Sequence, residues 1–351
     1  MKNILVTGGA GFIGSHTCLS LLENNNRIIV LDSFTSSSFE SLEKVKILLK
    51  KKSGNFEKNL DIFQGDIISL DFLYKLFEKI YRKNKIDAVI HFAGLKSIAE
   101  SIKNPINYWE TNLVGTINLL KIMDKFSCYN LIFSSSATVY SHNNKLPFKE
   151  NSLLDPINPY GNTKLSVERL LEDTFKSSPN KWRICNLRYF NPIGAHPSGV
   201  IGENPNGEPN NIFPLILNAA FNDSKEFRIF GNDWDTKDGT CIRDYIHVMD
   251  LADGHMTSLN YLFKSAPQYT NINLGTGKGT SILELINAFE SVNKVKIPYV
   301  FSERRCGDLP EIVANNKKAI EVLNWIPKRN LYDMCKDGWN WKCNNPRGYD
   351  K

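Results

Sequence analysis

The chain has 351 residues, of which 42% are hydrophobic and 23% are charged, a composition typical of a globular protein of about two domains. No apolar run approaches the roughly 18 residues that a membrane-spanning helix needs, and the apolar run at 4–6 is too short for a signal peptide. The seven cysteines form no Cys-x-x-Cys pair and the six histidines have no metal-ligand spacing, so we expect reduced thiols, a cytoplasmic location and no bound metal.

The net charge of +6 admits an acidic partner. The lysine-rich segment 44–58 is predicted to be a solvated helix and loop, since it lacks interleaved aromatic residues and matches no known nucleic-acid-binding module. An anionic small substrate explains the mild positive charge equally well. We therefore expect no nucleic-acid partner and no membrane partner.

The first half of the chain alternates short apolar runs with amphipathic patterns. Runs at 3–6, 28–31, 60–63, 87–92, 130–134 and 183–188 predict strands, and patterns at 14–24, 71–82, 112–126 and 160–175 predict helices. Short strands separated by helices are typical of a parallel sheet that is covered on both faces. The sequence therefore predicts an α/β protein with a doubly wound parallel (Rossmann) sheet.

The composition changes after about residue 190. Pro, Gly and Asn crowd the segment 191–211, which predicts a long irregular loop. Shorter helices and strands follow. We predict a dinucleotide-binding domain over 1–188, to which 238–263 returns, and a smaller α/β substrate-binding domain over 189–351.

A glycine cluster follows the first strand and precedes the first helix. It satisfies both G-x-G-x-x-G and G-x-x-G-x-x-G, with glycines at positions Gly8, Gly9, Gly11 and Gly14. Such a turn lets the backbone approach a pyrophosphate, which the helix N-terminus attracts. Asp32 ends the next strand, where its carboxylate would accept hydrogen bonds from ribose hydroxyls and repel a 2′-phosphate. This pattern predicts NAD rather than NADP as the cofactor.

Tyr160 and Lys164 lie one turn apart on one face of the helix predicted at 160–175. Taken alone, such a pair is more often a solvated surface pair than a catalytic one. Whether this pair is catalytic depends on the other motifs of the chain.

Seven motifs together resemble the extended short-chain dehydrogenase/reductases, and among them the UDP-glucose 4-epimerase family. They are TGGAGFIG, HFAGLK, FSSSATVY, NPYGNTK, LRYFNPIGAHPSG, DYIHVMDLADGH and GDLP, and the resemblance covers about residues 3 to 349. It implies NAD as cofactor, a UDP-sugar as substrate, and a homodimer packed through helices such as 112–126 and 160–175. It also implies that the substrate-binding domain over 189–351 binds the UDP-sugar.

The resemblance implies that Tyr160 removes the proton of the sugar 4-hydroxyl while hydride leaves C4 for NAD. The 4-keto sugar would then turn and accept the hydride on its other face. A phenol has a pKa near 10, so that lowering it by three units takes roughly 4 kcal/mol. One cation about 6 Å away supplies about 2.8 kcal/mol at an effective dielectric of roughly 20. Lys164 alone therefore falls short, and the positive nicotinamide ring is expected to supply the remainder.

Further roles also come from the resemblance. Ser136 is expected to bridge the sugar 4-oxygen and the phenol, whereas Ser134 and Ser135 are expected to satisfy backbone and cofactor groups. The cofactor-binding set is Gly8, Gly11, Phe12, Ile13, Gly14, Asp32, Ser33, Asp66, Ile67, Phe92, Ala93, Gly94, Lys96, Asn112, Ser134, Tyr160, Lys164 and Tyr189. The substrate-binding set is Lys96, Ser136, Ala137, Thr138, Tyr160, Phe190, Asn191, Asn211, Ile212, Phe230, Arg243, Tyr245, Arg305, Asp308 and Ile312.

The sequence also bears on three alternative functions. A sugar-nucleotide 4,6-dehydratase needs an Asp-Glu pair after the first Ser or Thr, and Ala137 and Thr138 stand there instead. A UDP-glucuronate epimerase or decarboxylase stays open. A catalytically inactive NAD-binding regulator is disfavoured because Tyr160, Lys164 and Ser136 are all present.

Ile312 bears on substrate choice. It stands where the bacterial-type enzymes usually have a tyrosine, beside the 2-position of the sugar. The smaller side chain predicts room for an N-acetyl group, and hence conversion of UDP-GlcNAc to UDP-GalNAc.

Overall fold

The computed structural model describes residues 1–349 except 52–55, 206, 208, 210, 223–225 and 306. Parts of the predicted segments 44–58 and 191–211 lie outside the described residues. The strands are β1 (Asn3–Thr7), β2 (Arg27–Asp32), β3 (Leu60–Gln64), β4 (Ala88–His91), β5 (Asn130–Ser136), β6 (Arg183–Tyr189), β7 (Asn191–Ile193), β8 (Phe227–Phe230), β9 (Ile242–Arg243), β10 (Tyr245–His247), β11 (Gln268–Leu274), β12 (Thr280–Ser281), β13 (Tyr299–Ser302) and β14 (Glu311–Ile312).

The α-helices are α1 (Phe12–Glu23), α2 (Phe39–Lys50), α3 (Leu70–Tyr81), α4 (Ile98–Lys103), α5 (Pro105–Trp109), α6 (Gly115–Lys125), α7 (Pro159–Ser177), α8 (Ile212–Phe221), α9 (Val248–Lys264), α10 (Ile282–Asn293), α11 (Lys317–Leu323) and α12 (Leu331–Asn344). A π-helical turn over Glu110–Val114 joins α5 to α6. The helix predicted at 112–126 therefore begins as a wider turn. Among the described helices, none is both long and apolar enough to cross a bilayer.

Seven parallel strands form the central sheet in the order β11-β6-β5-β4-β1-β2-β3. This arrangement confirms the predicted doubly wound sheet. All six predicted strands belong to it. The seventh, β11, comes from the second half of the chain and pairs with β6 from Gln268↔Arg183 to Leu274↔Tyr189.

Alternate side chains of the strands enter two separate cores. In β1, Ile4 and Val6 pack on the face covered by α1, α2, α9 and α11, whereas Leu5 packs on the face covered by α3, α6 and α7. Ile28 and Ile29 of β2 divide in the same way. The sheet is therefore buried on both faces, which explains why its strands read as continuous apolar runs.

The second half of the chain builds a smaller lobe. Its core joins α8, α10 and α12 to the short strands β8 and β10, with Phe213 and Phe289 fully buried at its centre. The helix α9 and the strand β11 pack instead with the main sheet. The division at residue 188, with a return over 238–263, stays a prediction.

Candidate active site

The carboxyl ends of β1, β2, β4, β5 and β6 lie at one edge of the sheet, and the predicted cofactor residues follow them. Gly8 directly follows the first strand with φ +71°, and a Cβ atom there would lie 2.6 Å from the backbone nitrogen of Ala93. A Cβ atom on Gly14 would lie 2.4 Å from the Gly8 carbonyl oxygen. Gly11 is the N-cap residue of α1 and makes no side-chain hydrogen bond there. The first backbone N–H groups of the helix are therefore not capped by a side chain and can bind an anionic group.

Asp32 is buried at the end of β2 and fixes the same turn. Its Oδ2 accepts a hydrogen bond from the Ala10 backbone at 2.9 Å, while its Oδ1 accepts from the Phe34 backbone and the Ser37 hydroxyl. Each carboxylate oxygen can accept more than one such bond, so a ribose hydroxyl fits beside these partners. Ser33, which follows, bonds to the hydroxyl of Thr35 at 3.0 Å.

The remaining adenosine-side residues differ in exposure. Asp66 is exposed, and its Oδ1 accepts from the Ile68 backbone, as in an Asp turn. Ile67 is buried against Gly115. Phe12 packs its ring against His16, and Ile13 packs partly against the sheet core.

The residues after β4 meet the π-helical turn. Asn112 accepts from the Leu95 backbone N–H at 2.7 Å and donates to the Leu95 carbonyl and the Thr163 hydroxyl. Both N–H bonds of its amide are thus used within the protein, which favours the structural role over a cofactor contact. A Cβ atom on Gly94 would lie 2.9 Å from the Asn112 side-chain oxygen and 3.8 Å from Lys164 Nζ.

The catalytic candidates lie on α7 and at the end of β5. Asn158 caps this helix by accepting from the Gly161 backbone at 2.8 Å, and a proline occupies the first helical position. The Ser136 hydroxyl lies close to the phenol of Tyr160 and lowers the pKa of that phenol. Lys164 places its Nζ 5.8 Å from the Tyr160 ring centroid and donates to the Ser134 carbonyl at 2.8 Å.

Burial dominates the electrostatics of this pair. It raises the pKa of Tyr160 to about 12, although the neighbouring Ser136 hydroxyl lowers it. It also lowers the pKa of Lys164 to about 8, against the raising effect of Glu168. The distance of 5.8 Å from the ammonium to the ring centroid is close to the 6 Å assumed from the sequence. Since burial opposes the charged form of each group, a further positive charge beside the phenol is required, which fits NAD.

Two other predicted residues, buried Tyr189 and half-buried Phe92, contact His255. Tyr189 bonds through its hydroxyl to His255 Nε2 at 2.5 Å, and Phe92 lies against the same imidazole with ring centroids 4.8 Å apart. The prediction for Ser135 was wrong, because its hydroxyl donates to the Glu168 carboxylate rather than to a backbone or cofactor group.

Four residues predicted to bind the nucleotide part of the substrate lie together. Asp308 accepts from Arg305 Nη2 at 2.8 Å and lies 3.9 Å from Arg243 Nη2. The Arg305 guanidinium lies 5.5 Å from the Phe230 ring centroid. Arg243 uses its Nη1 to donate to two backbone carbonyls, which holds the guanidinium in place. This cluster can present a planar cationic group to a diphosphate and a ring face to a base.

An apolar cluster connects the β5 end to the second lobe. Ala137, Phe190 and Ile312 belong to it, together with Tyr140 and Leu165. Thr138 donates through its hydroxyl to Ser136 at 3.0 Å. Ile312 is in register with Arg243 through the β14–β9 pairing. Ile312 is thus a register partner of Arg243 and also packs in the cluster that contains Ala137, the residue after Ser136.

Two other predicted substrate residues belong to a short two-stranded sheet. Asn191 and Tyr245 are paired in register in the short β7–β10 sheet. The ring of Tyr245 is buried in the core of the smaller lobe, and its hydroxyl has no hydrogen-bond partner in the described part of the chain. This places Tyr245 among packing residues rather than at a surface.

The buried residue Glu203, which was not predicted from the sequence, contacts two predicted residues, Lys96 and Asn211. Glu203 accepts from Asn211 Nδ2 at 2.7 Å and lies 3.4 Å from Lys96 Nζ. Asn211 immediately precedes α8, which begins at Ile212. No sequence spacing indicates this contact, since Lys96 and Glu203 are 107 residues apart.

The comparisons with known proteins agree over nearly the whole chain. The family model described as GDP-mannose 4,6 dehydratase matches residues 5–338. A bifunctional UDP-glucose 4-epimerase and UDP-xylose 4-epimerase of Pisum sativum is 48% identical over 99% of this chain and 97% of its own length. A UDP-glucose 4-epimerase of Bacillus subtilis is 45% identical over 99% of this chain and 98% of its own length.

A solved structure is similar to the same extent. The crystal structure of UDP-glucose 4-epimerase from Bifidobacterium longum, in complex with NAD+ and UDP, has a TM-score of 0.91 and 41% identity. The alignment covers 99% of this chain and 100% of that one.

Proposed function

The chain belongs to the UDP-glucose 4-epimerase family, and we propose that it interconverts UDP-glucose and UDP-galactose with NAD as its cofactor. The observation that carries the proposal is the placement of half-buried Tyr160 and Ser136 and buried Lys164 at the sheet edge that also holds the glycine turn. When bound, NAD would supply the reversible oxidation of the sugar at C4. Gly8, Gly14 and Asp32 would hold it.

The chain's own residues would move the proton and orient the sugar. Tyr160 would take the 4-hydroxyl proton, and Ser136, whose hydroxyl lies close to the phenol, would hold the sugar oxygen next to it. Lys164 would stabilise the phenolate from about one helical turn away.

Most of the binding energy would come from the nucleotide. Arg243 and Arg305 would contact the diphosphate, Phe230 would lie against the uracil, and Asp308 would hold the uridine ribose. A hexose that is bound weakly can turn its other face to the cofactor. Tight binding of the hexose in one orientation would therefore slow the reaction.

The dehydratase alternative is not favoured, although the matching family model carries that description. Ala137 has no titratable group, and the hydroxyl of Thr138 is bonded to Ser136. Neither can supply the acid and base that the loss of water requires. A UDP-glucuronate epimerase or decarboxylase is not favoured by the relatives.

The small side chain of Ile312 predicts a second class of substrate. This side chain is half-buried in the cluster of Ala137 and Phe190, next to the catalytic strand end. We propose that the absence of a bulky ring there lets the chain also convert UDP-GlcNAc to UDP-GalNAc.

We further propose a homodimer. An exposed apolar surface runs along α4, α5 and the π-helical turn, and it comprises Ile98, Ile102, Ile106, Trp109 and Val114, of which Ile106 is 81% exposed. These elements pack beside α7. A second copy of the chain is the occupant that such a surface fits, because an apolar face of this kind favours a symmetric partner. A cytoplasmic location stays a prediction, supported by the six free cysteines among the described residues.

The test is incubation of the purified protein with UDP-galactose, with and without added NAD, followed by separation of the products. We expect UDP-glucose as the product, with no net consumption of NAD. Tyr160→Phe should lower kcat by about a thousandfold or more, since the general base is lost, with little change in UDP-sugar binding. A dehydrated or decarboxylated product, or a Tyr160→Phe variant of near-normal activity, would overturn the proposal.

A further inference from the structure

A third residue of α7 lies on the face that carries the catalytic pair. Tyr160, Lys164 and Glu168 follow one another at intervals of one helical turn. Lys164 and Glu168 are 5% and 2% exposed, so both charges are buried. A buried carboxylate one turn beyond a buried ammonium has no place in the reaction described so far.

The three turns of α7 contact three consecutive serines of β5. The Tyr160 phenol lies close to the Ser136 hydroxyl, and Lys164 donates to the Ser134 carbonyl at 2.8 Å. Between them, Ser135 donates to Glu168 Oε1 at 2.5 Å. Glu168 therefore fixes the strand end at the residue that directly precedes Ser136.

A buried arginine completes the Glu168 site. Arg188 is 0% exposed and bonds to both carboxylate oxygens, with Nε–Oε1 at 2.9 Å and Nη2–Oε2 at 2.6 Å. Its Nη1 donates to the Tyr140 hydroxyl and the Glu150 carbonyl. Replacing a buried ion pair with apolar residues of similar size is often neutral or stabilising. Stability alone therefore does not explain why charges occupy this position.

The charge of Glu168 has a consequence for Lys164. Burial lowers the pKa of Lys164 to about 8, and Glu168 raises it. Besides Glu168, the one group among the described residues that faces the ammonium and becomes negative in the proposed reaction is the Tyr160 phenol, 5.8 Å away at its ring centroid. The Phe133 ring and the Ser134 carbonyl on β5 are neutral. His91 on β4 is also neutral, because burial and Lys164 lower its pKa to about 3.

We propose that Glu168 is a positioning residue of the epimerisation, which keeps a positive charge on Lys164 and holds the Ser135 strand end against α7. The inference rests on the proposed function, in which the phenolate of Tyr160 needs an adjacent cation. Glu168 touches neither substrate nor cofactor in this assignment, and it acts through Lys164 and Ser135.

The test uses the pH dependence of kcat for UDP-galactose in the holoenzyme. Glu168→Gln keeps the shape and a hydrogen-bond acceptor for Ser135 but leaves Arg188 unpaired. The double variant Glu168→Gln/Arg188→Met removes both charges, and it stays interpretable if the single variant does not fold. Glu172→Gln is the matched control, because Glu172 pairs with Lys176 at 2.7 Å on the exposed side of the same helix.

We expect the alkaline limb of the kcat profile, where Lys164 loses its proton, to move to lower pH by at least about half a unit in the double variant. The single variant should move further, since the unpaired Arg188 adds a repulsion. KM should change little, and Glu172→Gln should match the wild type. A double variant with an unshifted profile and only a lower melting temperature would overturn the inference. An inactive wild type would instead overturn the proposed function.

Discussion

Replacing Lys164 with methionine tests the electrostatic basis of the reaction. The ammonium lies 5.8 Å from the Tyr160 ring centroid. At an effective dielectric of roughly 20, Coulomb's law gives about 3 kcal/mol at that distance, equivalent to about two pKa units. The proposed base is the phenolate, so the loss of a neighbouring cation would disfavour the anion and raise the pKa of Tyr160. Activity should then require a higher pH.

The assay is the kcat–pH profile of Lys164→Met with UDP-galactose, with the NAD content of each preparation measured. We expect the acidic limb to move up by about two pH units, so that kcat at neutral pH falls about a hundredfold and recovers about tenfold per pH unit. Lys176→Met is the control, because Lys176 is an exposed lysine on the same helix. A uniform loss of activity with no shift of the limb would refute the electrostatic reasoning, since the lysine would then serve only to orient the site.

Three further predictions concern other parts of the molecule. Gly14→Ala should lower the NAD content of the purified protein, because the new Cβ atom would lie 2.4 Å from the Gly8 carbonyl oxygen; unchanged NAD retention would contradict the proposed cradle. Ile312→Tyr should abolish conversion of UDP-GlcNAc while conversion of UDP-galactose is largely kept; a wild type that does not turn over the acetylated sugar would exclude this specificity. Ile106→Glu should convert the dimer to a monomer in light scattering, whereas Ile326→Glu, an exposed apolar residue on another surface, should not.

The sheet could be predicted largely from local patterns. Strands buried on both faces read as short apolar runs, and each of the six predicted runs corresponds to a strand. The seventh strand, β11, was not predicted because its sequence, QYTNINL, is polar over much of its length. Its place beside β6 depends on pairing across 85 residues at Asn186 and Asn271, which no local pattern encodes.

The candidate site was predictable where chemistry follows from spacing along the chain. The glycine turn and the Tyr160–Lys164 pair are local features, and the structure brings them to one edge of the sheet. Glu168 continues the same helical interval and could have been found on that ground. Arg188 and Glu203 could not, because their partners are distant in sequence and only the tertiary fold joins them.

The position of β11 in the sheet bears on how the protein is made. During synthesis, β6 has an open hydrogen-bonding edge until residue 274 is available to pair with it. A fragment that stops at the predicted boundary of residue 188 would leave that apolar edge exposed and prone to self-association. The nascent polypeptide must therefore shelter β6, by itself or with a chaperone, until most of the second half has been translated.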